Sequence, residues 1–573
     1  MFQKRIHDVL AAALPDSASF DVSPPEIKEH GDYASNIALA SAKALGKNPR
    51  ELAEAIKTAA ISSSDGKIII EKIDIAGPGF LNIMLKDQLL RDSIHTLLDD
   101  SMDWGKIEGG NGVLAIVEYF QLNIAKTPHV GHLRSAIIGD SLKRLLANAG
   151  YKAISDTHVG DWGTQFGIVL YAYKKTEQED SVSIAERVQK DPFGLLEELY
   201  KKGNEDIEKD PTIRDLAKKE FADLEKGDEK NRALWLWMVE LSMKKLTESA
   251  TRLKLLPFDE HRGESAYEAM MPDIVTQALN KNVVTKKDDG AIVVDLTAEG
   301  LDEAVLVKSD GATTYLLRDL ATVMYRAHSY HFARNLYVVD VRQAHHFRQV
   351  FRVAELLNFS GVATSEHVSY GFMKLPDGML STRKGNVISL DAVLDEAERR
   401  ARLIIEEKNP TLADKDVVAS QVALGAIKYF DLAHNRHSDI TFDWDDALSF
   451  EGNTGPYVQY TYARLMSVLK KTAMSEMMDI SDVSFDEGER SLAVAILRFP
   501  EAVEEATRLL MPHYVALYAH ELAQEANAFY QTHSVMQEPD ELKRALRVSL
   551  IRATAATIKN ALTLLGIEAP EAM

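Results

Sequence analysis

Two histidines three residues apart stand out in the segment NIAKTPHVGHLRSAIIGD, which begins at Asn123. His129 and His132 lie at the start of a predicted helix, and Gly131 between them allows a ligand close approach to the backbone. Helix-start N–H groups, two imidazoles and the nearby Lys126 favour a phosphoryl group. Zinc fits less well, since there is no HExxH pattern, and two surface histidines capping a helix are an equally common alternative.

The loop MLSTRKGN, residues 379–386, is a second candidate for phosphate contact and follows the strand-like EHVSYGFMK. It contains Ser381, Thr382, Arg383 and Lys384. A mobile basic loop is able to close over a triphosphate and stabilise charge that develops on leaving pyrophosphate. A solvated basic loop is the simpler interpretation of this segment alone, but two phosphate signals in one domain strengthen each other.

The elements around these motifs alternate between strand and helix. VLAIVEYF (113–120) has the pattern of a buried strand, a helix with one apolar stripe follows Gly131, and KAISDTHVGDWG and NLYVVDVRQ (335–343) resemble further strands. This alternation predicts a parallel α/β sheet, which binds ligands at the carboxyl ends of its strands. The Lys- and Glu-rich segment from about 173 to 250 predicts a solvated helical insertion, and the chain after 396 is predicted to be helical.

The fold class we expect is α/β and α: a Rossmann-like parallel-sheet catalytic domain, a small N-terminal α+β domain and a C-terminal all-α helix bundle. The expected domain boundaries are 1–108, 109–395 with the insertion at about 170–300, 396–447 as a helical connector, and 448–573.

Composition excludes several classes of protein. The chain has 573 residues and no cysteine, so disulfides and thiolate metal sites are excluded, and a reducing cytoplasm is the expected location. The net charge of −21 argues against a protein that coats nucleic acid without specificity, and any RNA partner needs a local basic face. No apolar run approaches membrane-spanning length, so no membrane partner is expected.

HVGH followed far downstream by a basic loop resembles the signature pair of class I aminoacyl-tRNA synthetases. The longer strings resemble the arginyl-tRNA synthetase family in particular, and this resemblance is weakest in the charged insertion. The strings are VEYFQLNIAKTPHVGHLRSAIIGD, HVGDWGTQFG, YLLRDLATVMYR, YVVDVRQAHHFRQVF and FEGNTGPYVQYTYARL, with HGDYASNIALA and AGPGFLNIML near the start and LGIEAPEAM at the end.

The resemblance implies a two-step reaction. ATP and L-arginine give arginyl-adenylate and pyrophosphate, and the arginyl group then passes to the 3′ end of tRNA(Arg). Mg²⁺ would arrive with ATP, with no zinc or other resident group, and the enzyme would be a cytoplasmic monomer. The alternatives are a catalytically inactive tRNA-binding paralogue and another adenylyltransferase with an HxGH site.

Site residues follow from the same resemblance. Those expected at the catalytic and ATP-binding site are Lys126, His129, Gly131, His132, His158, Gly160, Asp161, Gln165, Ser381, Thr382, Arg383 and Lys384. Those expected to bind arginine are Glu118, Gln121, Asn123, Tyr315, Asp319 and Gln343. A buried guanidinium needs a carboxylate partner, and Asp319 is the residue best suited to that role. Read singly, each of these residues is more often structural.

Two departures from the family pattern affect the site. The basic loop has Met379 and Thr382 where the family's loop pattern has lysines, and the resemblance implies that Lys126 compensates, with Lys384 as a helper. Phe120, Gln121 and Leu122 replace small residues and a proline, so that Gln121 stands where the family has a serine that helps to hold the substrate.

The tRNA contacts are expected in the C-terminal bundle and in the N-terminal domain. Basic side chains bind phosphates and tyrosines stack on unpaired bases, although tyrosines at helical spacing usually belong to a core. The resemblance implies an anticodon-binding bundle, a connector that contacts the tRNA stem, and an N-terminal module at the outer corner of the tRNA. The residues expected to bind tRNA are Tyr457, Gln459, Tyr460, Arg464, Lys543, Arg547 and Met573.

Overall fold

A computed structural model describes residues 2–25, 27–374, 388–472, 478–480 and 482–573, with the backbone alone at Lys28. The basic-loop residues Ser381, Thr382, Arg383 and Lys384 therefore lie outside the described residues. Within the described ranges, every helix is too short or too polar to cross a membrane.

The N-terminal part packs five helices against one antiparallel sheet. Its elements are α1 (Phe2–Ala13), β1 (Val22–Ser23), β2 (Tyr33–Ser35), α2 (Ile37–Leu45), α3 (Pro49–Ser62), α4 (Ser64–Ile69), β3 (Ile70–Ala76), β4 (Phe80–Leu85) and α5 (Asp87–Asp99). The strand order is β1-β2-β4-β3. Asn48 caps α3 by accepting hydrogen bonds from two backbone N–H groups, and Pro49 at the first helical position needs no such partner.

The catalytic part is built on a four-stranded sheet whose strands all run parallel, in the order β11-β10-β5-β6. Its central elements are β5 (Leu114–Glu118), α6 (Leu133–Asn148) and β6 (Lys152–Asp156). The predicted strand 113–120 ends early because Phe120 has a φ of 60°, a left-handed conformation that a strand does not continue through.

An insertion separates β6 from the second half of the sheet. It begins with α7 (Thr164–Glu179), α8 (Ser181–Lys190), α9 (Pro192–Lys209), α10 (Ile213–Glu225) and α11 (Glu229–Arg252). It continues with α12 (Met271–Asn280), β7 (Thr285–Lys286), β8 (Ile292–Val294) and β9 (Ala304–Val307). The part predicted as a helical insertion, about 170–300, thus also contains the strands β7 and β8, which form an antiparallel sheet with β9 in the order β7-β8-β9.

The second half of the parallel sheet follows this insertion. Its elements are α13 (Tyr315–Ser329), β10 (Phe332–Tyr337), α14 (Ala344–Leu356), β11 (Ser365–His367) and β12 (Met373–Lys374). The predicted strand 335–343 is shorter than expected, because β10 ends at Tyr337 and Val341–Gln343 form a 3₁₀ turn that leads into α14.

The remaining chain is helical apart from one short strand. Its elements are α15 (Leu390–Lys408), α16 (Lys415–Leu432), β13 (Ile440–Thr441), α17 (Trp444–Ala447), α18 (Gly455–Thr472), α19 (Glu487–Leu497), α20 (Phe499–Leu509), α21 (His513–Thr532) and α22 (Glu541–Leu564). The last five helices form the C-terminal bundle, and β13 pairs with β12 in parallel. The predicted fold class is confirmed.

Buried and half-buried ion pairs join the three parts of the chain. Arg490 on α19 donates two hydrogen bonds of 2.8 Å to Asp32 of the N-terminal sheet. Arg134, in the first turn of α6, lies 2.9 Å from the carboxylate of Asp431 on α16, and both side chains are buried. Removal of one partner from a buried pair strands a charge, so these contacts fix how the parts are arranged.

Candidate active site

Four polar or charged side chains form one row at the carboxyl edge of the parallel sheet. In the strand register, Glu118 is opposite Tyr337 on one side and Asp156 on the other, and Tyr337 is opposite His367. Loops that leave this edge carry the HVGH turn and the segments that begin at His158 and Asp340. The expected location of the site at the ends of the strands follows from this register.

The HVGH turn is a 3₁₀ turn, Val130–His132, that runs directly into α6. His129 caps it: the N–H of Gly131 donates to His129 Nδ1 at 3.1 Å, and the N–H of His129 donates to His132 Nδ1 at 3.1 Å. The ring centroids are 3.8 Å apart. A Cβ at position 131 would lie 2.8 Å from the His129 ring, so glycine is needed there for the histidine and not only for a ligand.

These hydrogen bonds determine which nitrogen of each ring is a donor. An Nδ1 that accepts from the backbone carries no proton, so the neutral ring holds its proton on Nε2. Burial and the Lys126 ammonium lower the pKa of His129, while burial and the charge of His129 lower the pKa of His132 to about 3. Both rings are therefore neutral near pH 7 and keep an Nε2–H group that is able to donate to a phosphate oxygen.

Lys126 lies beside this turn and is held by the insertion. Its Nζ is 5.1 Å from the centroid of the Tyr200 ring on α9. The next residue, Thr127, donates its N–H and hydroxyl to Glu197, the former at 2.9 Å.

The residues that follow the basic loop lie against the HVGH turn. The N–H of Val130 donates to the Ile388 carbonyl at 3.2 Å, and the N–H of Leu390 donates to the Pro128 carbonyl at 2.9 Å. His129 and Ser389 form an isolated antiparallel bridge. Residues 388–390 thus lie beside the histidines.

Two members of this row, Glu118 and Asp156, belong to a buried cluster of charged side chains. The Arg326 guanidinium on α13 is 2.7 Å from Glu118 and 2.9 Å from Asp156, and it donates to the Asn335 side chain at 3.2 Å. Although burial alone raises the pKa of Asp156, Arg326 and His158 bring it below its usual range.

Glu118, Asp156 and His158 offer ligand atoms within 4.8 Å of one another, a spacing that would suit a metal ion. The positive charge held between the two carboxylates is the guanidinium of Arg326, which contacts both of them. Among the described residues, this cluster therefore has its cation already, and a metal would need to displace a buried arginine.

Asp319 differs from Glu118 because no arginine or lysine is paired with it in the described part of the chain. It is half-buried on α13, its Oδ2 lies 2.5 Å from His346 Nε2, and its Oδ1 lies 3.7 Å from His158 Nε2. Burial alone lowers the pKa of His158, but three surrounding carboxylates outweigh burial and raise it. Asp319 is thus the carboxylate of this edge that is open to an incoming cation.

The other residues expected to bind arginine surround this edge. Asn123 and Gln343 are exposed, and the Tyr315 side chain is 67% exposed one helical turn before Asp319. Gln121 donates to Glu118 at 3.3 Å and accepts from the Ser135 hydroxyl at 3.2 Å. Gln121 therefore orients Glu118 instead of facing open solvent.

Some residues of the segment 158–165 face the site, and others face the core. Gly160 pairs with Asn123, and a Cβ at position 160 would lie 2.6 Å from the Asn123 side-chain oxygen. Gln165 donates to the Gly160 carbonyl at 3.1 Å. The Asp161 carboxylate is buried and accepts from the N–H and hydroxyl of Ser265, and burial raises its pKa. This places Asp161 in a fold-stabilising contact.

Three of the residues expected to bind tRNA line one cavity of about 790 Å³ in the bundle: Tyr460, Arg464 and Met573. The Arg464 guanidinium is 4.9 Å from the Tyr460 ring centroid and 5.8 Å from that of Tyr530, which also lines the cavity. Aromatic faces beside an arginine suit an unpaired nucleobase.

The structure places the other four elsewhere. Gln459 is fully buried and donates to backbone carbonyls, and the Tyr457 hydroxyl accepts from Asn527 at 3.0 Å. Lys543 and Arg547 on α22 are both paired with Glu489, which is fully buried on α19. Contact of either cation with an RNA phosphate would require that pair to break, which the sequence could not show.

The sequence interpretation missed Asp156, Arg326 and His346. Asp156 ends a buried strand as Glu118 does, so the same rule could have selected it. Arg326 lies two helical turns after Asp319 on α13 and so shares its face. His346 lies in the string QAHHF, where nothing separates it from the adjacent His345 by sequence alone.

Comparisons with known proteins agree over the length of the chain. Residues 94–444 match the family model for the class I (R) tRNA synthetase catalytic domain, residues 458–573 match the DALR anticodon binding domain, and residues 1–85 match the arginyl tRNA synthetase N-terminal domain. Together with the parallel sheet and its HxGH turn, the first match makes this chain a class I tRNA synthetase.

Individual relatives identify the family within this class. Arginine–tRNA ligase from Fusobacterium nucleatum is 36% identical, over 99% of this chain and 97% of that protein. The ligase from Alkaliphilus metalliredigens is 37% identical over the full length of both chains. The solved arginyl-tRNA synthetase of Thermus thermophilus superposes with a TM-score of 0.81 at 27% identity, over the full length of both. The chain belongs to the arginyl-tRNA synthetase family.

Proposed function

We propose that the carboxyl edge of the sheet carries arginine activation, with ATP at the HVGH turn and the substrate guanidinium at Asp319. The chain is an arginine–tRNA ligase. The observation that carries the assignment of roles is the pairing pattern of the carboxylates. Glu118 and Asp156 share Arg326, while the ion-pair partners of Asp319 among the described residues are histidines. A cationic substrate side chain completes the charge balance at Asp319.

The first step joins arginine to the nucleotide. The substrate carboxylate attacks the α-phosphorus of ATP, the bond between the α- and β-phosphates breaks, and pyrophosphate leaves with the bonding electrons. A ribose hydroxyl at the 3′ end of tRNA(Arg) then attacks the arginyl carbonyl, and AMP leaves. No covalent enzyme intermediate is needed, so positioning and charge stabilisation supply the catalysis.

The HVGH turn is assigned to the triphosphate. The neutral Nε2–H groups of His129 and His132 donate to phosphate oxygens, and the Lys126 ammonium offsets the negative charge that grows on the leaving pyrophosphate. The basic-loop residues Ser381, Thr382, Arg383 and Lys384 are assigned to the same phosphates. The contacts of Ile388 and Leu390, which follow that loop, with the HVGH turn support this assignment. Mg²⁺ enters as part of the ATP substrate.

The remaining polar groups orient the amino acid. Asn123, Gln343 and Tyr315 are exposed, and they are assigned to the backbone and side chain of arginine. Glu118 is assigned to the α-amino group of the substrate arginine. Because the Glu118 carboxylate is already paired with Arg326, it attracts that group from a distance and does not form a direct ion pair with it. Gln121, which stands where the family has a substrate-holding serine, is assigned to the same site and holds Glu118 in place by donating to its carboxylate.

The segment 158–165 is assigned to the walls of this site. His158 faces Asp319, while Gly160 and Gln165 hold the backbone beside Asn123. Asp161 supports the segment from behind through Ser265.

The cavity in the bundle is assigned to an unpaired base of the tRNA anticodon. Tyr460 and Tyr530 offer ring faces, and Arg464 offers a cation between them. Met573 lines the same cavity, and the Asn409 side chain donates to its backbone carbonyl at 3.1 Å. Tyr457, Gln459, Lys543 and Arg547 act behind this surface by holding the bundle together.

The domain division 1–108, 109–395, 396–447 and 448–573 is part of the proposal, as are a monomeric state and a cytoplasmic location. The matched ranges 1–85, 94–444 and 458–573 support the first and last divisions to within a few tens of residues. The range 94–444 also includes most of the proposed connector, 396–447, and gives no separate support for a boundary at 395.

ATP–pyrophosphate exchange by the full chain tests this function. We expect exchange with L-arginine only, when each amino acid is supplied in turn, and we expect it to require tRNA(Arg). His132→Ala should remove exchange while tRNA binding stays. His331→Ala is the matched control, since His331 is exposed next to the amino end of β10, at the opposite edge of the sheet. Exchange with a different amino acid, or equal loss in both variants, would contradict the assignment.

A further inference from the structure

Two helices of the insertion contact residues 125–127, which lie just before Pro128 and the HVGH turn. Ala125 has a φ of 64°, unusual for a residue with a Cβ, and its N–H donates to the Ser242 hydroxyl of α11 at 3.0 Å. Thr127 is held by two hydrogen bonds to Glu197 of α9. Lys126 lies between these anchors, so its backbone position is set by the insertion.

The Lys126 side chain is held by a ring and not by a carboxylate. Its Nζ is 5.1 Å from the Tyr200 ring centroid, and within the described ranges it forms no ion pair with an acidic side chain. Tyr200 follows Glu197 by three residues, so both lie on one face of α9. The same ammonium lowers the pKa of His129 and of His132, which locates it beside the turn.

An aromatic partner suits a cation that must act on an incoming anion. A ring face attracts an ammonium without cancelling its charge, whereas a carboxylate would compete with the phosphates for it. The ring also restricts a flexible four-carbon side chain, so less conformational entropy is lost when the nucleotide arrives.

We propose that Tyr200 and Glu197 are positioning residues for Lys126, through which the helical insertion serves adenylate formation. Glu197 fixes the backbone at Thr127, and Tyr200 directs the ammonium toward the phosphates at the HVGH turn. This inference rests on the proposed function, because it needs the nucleotide at that turn. It goes further by giving the insertion a part in the chemistry.

Substitution of Tyr200 tests the ring contact. Tyr200→Leu should lower the kcat of arginine-dependent pyrophosphate exchange about tenfold, which is the effect of a well-oriented cation–π contact, while the KM for arginine stays unchanged. Tyr200→Phe keeps the ring face and should retain nearly full activity. The matched control is Tyr171→Leu, because Lys175 lies 5.9 Å from the Tyr171 ring elsewhere in the insertion. The control should leave kcat unchanged.

Substitution of Glu197 tests the backbone anchor. Glu197→Gln keeps an oxygen that accepts from Thr127 and should retain most of the exchange activity, whereas Glu197→Ala should lower kcat. Glu198→Ala is the control, since Glu198 is the adjacent residue on α9 and pairs with Arg187 at 2.6 Å. Equal loss in Glu197→Ala and Glu198→Ala would mean that α9 is merely destabilised, and would overturn the inference.

A double-mutant cycle separates action through Lys126 from other effects. Tyr200→Leu added to Lys126→Met should cost little beyond Lys126→Met alone. An equal tenfold loss in both backgrounds would overturn the positioning role. If the wild-type chain shows no arginine-dependent exchange, the proposed function fails instead. If it shows exchange that Lys126→Met leaves intact, the inference fails together with the role assigned to Lys126, while arginine activation at this edge of the sheet stands.

Discussion

Replacement of His132 by two different amides separates its structural role from its catalytic one. In the folded protein, Nδ1 of His132 accepts from the His129 N–H at 3.1 Å, which leaves Nε2–H for the nucleotide. His132→Asn places an amide near the Nδ1 position and keeps the acceptor, but it removes the outer donor. His132→Gln places its amide near Nε2 and keeps the donor.

The size of the effect follows from the hydrogen bond that is lost. A hydrogen bond to a charged phosphate contributes about 1.5–3 kcal/mol, which corresponds to about 10- to 150-fold in rate if the contact forms in the transition state. We expect His132→Asn to lower the kcat of pyrophosphate exchange by that factor. His132→Gln should retain most of the activity, because the donor remains.

The same variant has a pH signature in stability. The pKa of His132 falls from its ordinary 6.5 to about 3 in the folded protein. The unfolded chain therefore binds a proton that the folded chain does not, and stability is lost as the pH falls from about 6.5 toward 3. At pH 5 this loss is at most about 2 kcal/mol. His132→Asn has no such group, so it should lose less stability in acid.

The assay pairs exchange kinetics at pH 7.5 with urea unfolding, followed by tryptophan fluorescence, at pH 7.5 and 5.0. We expect the Asn variant to be much slower in exchange, and to gain stability relative to wild type as the pH falls. If Asn and Gln lose activity equally, the donor argument is refuted. If wild type and variant respond to acid in parallel, His132 is not held neutral by burial.

Three further variants test separate parts of the site. Asp319→Asn should raise the KM for arginine at least tenfold, because the loss of one charged hydrogen bond costs about 1.5 kcal/mol. An unchanged KM would exclude guanidinium binding at Asp319. Arg326→Met leaves two buried carboxylates unpaired and should lower the free energy of unfolding by about 3–5 kcal/mol; a denaturation midpoint equal to wild type would contradict the cluster. Arg464→Ala should raise the KM for tRNA(Arg) in aminoacylation without changing affinity for arginine, and an unaltered KM would exclude the cavity from tRNA binding.

The sequence predicted the HVGH turn well because that motif is local. Three residues set the turn, Gly131 allows it, and the apolar stripe after it marks α6. The alternation of strands and helices likewise predicted a parallel sheet, and strand ends selected Glu118 correctly as a residue of the carboxyl edge.

Pairings between distant segments could not be predicted in this way. Arg326 joins Glu118 to Asp156 only after α13 packs beside the sheet, and no local pattern records that contact. Lys543 and Arg547 have the spacing of an exposed basic face, but Glu489 on another helix is paired with both. Charge patterns along one helix therefore do not show which cations remain free.

The carboxyl ends of two strands, β5 and β10, were predicted too far along the chain. Phe120 is apolar and follows a buried strand, so its side chain gave no sign that φ would be 60° there. Val338 and Val339 similarly extend an apolar run, although the regular strand stops at Tyr337. Hydrophobic patterns report burial, and burial continues past the point where pairing ends.

The central claim is that the HVGH histidines and Asp319 hold opposite ends of one bound arginyl-adenylate. Calorimetric binding of a stable analogue, with a sulfamate in place of the phosphate ester, tests this directly in the wild-type chain, His132→Asn and Asp319→Asn. We predict tight binding to wild type and weaker binding to each variant, with arginine alone affected only by Asp319→Asn and AMP alone affected only by His132→Asn. Undiminished analogue affinity in either variant would contradict the claim.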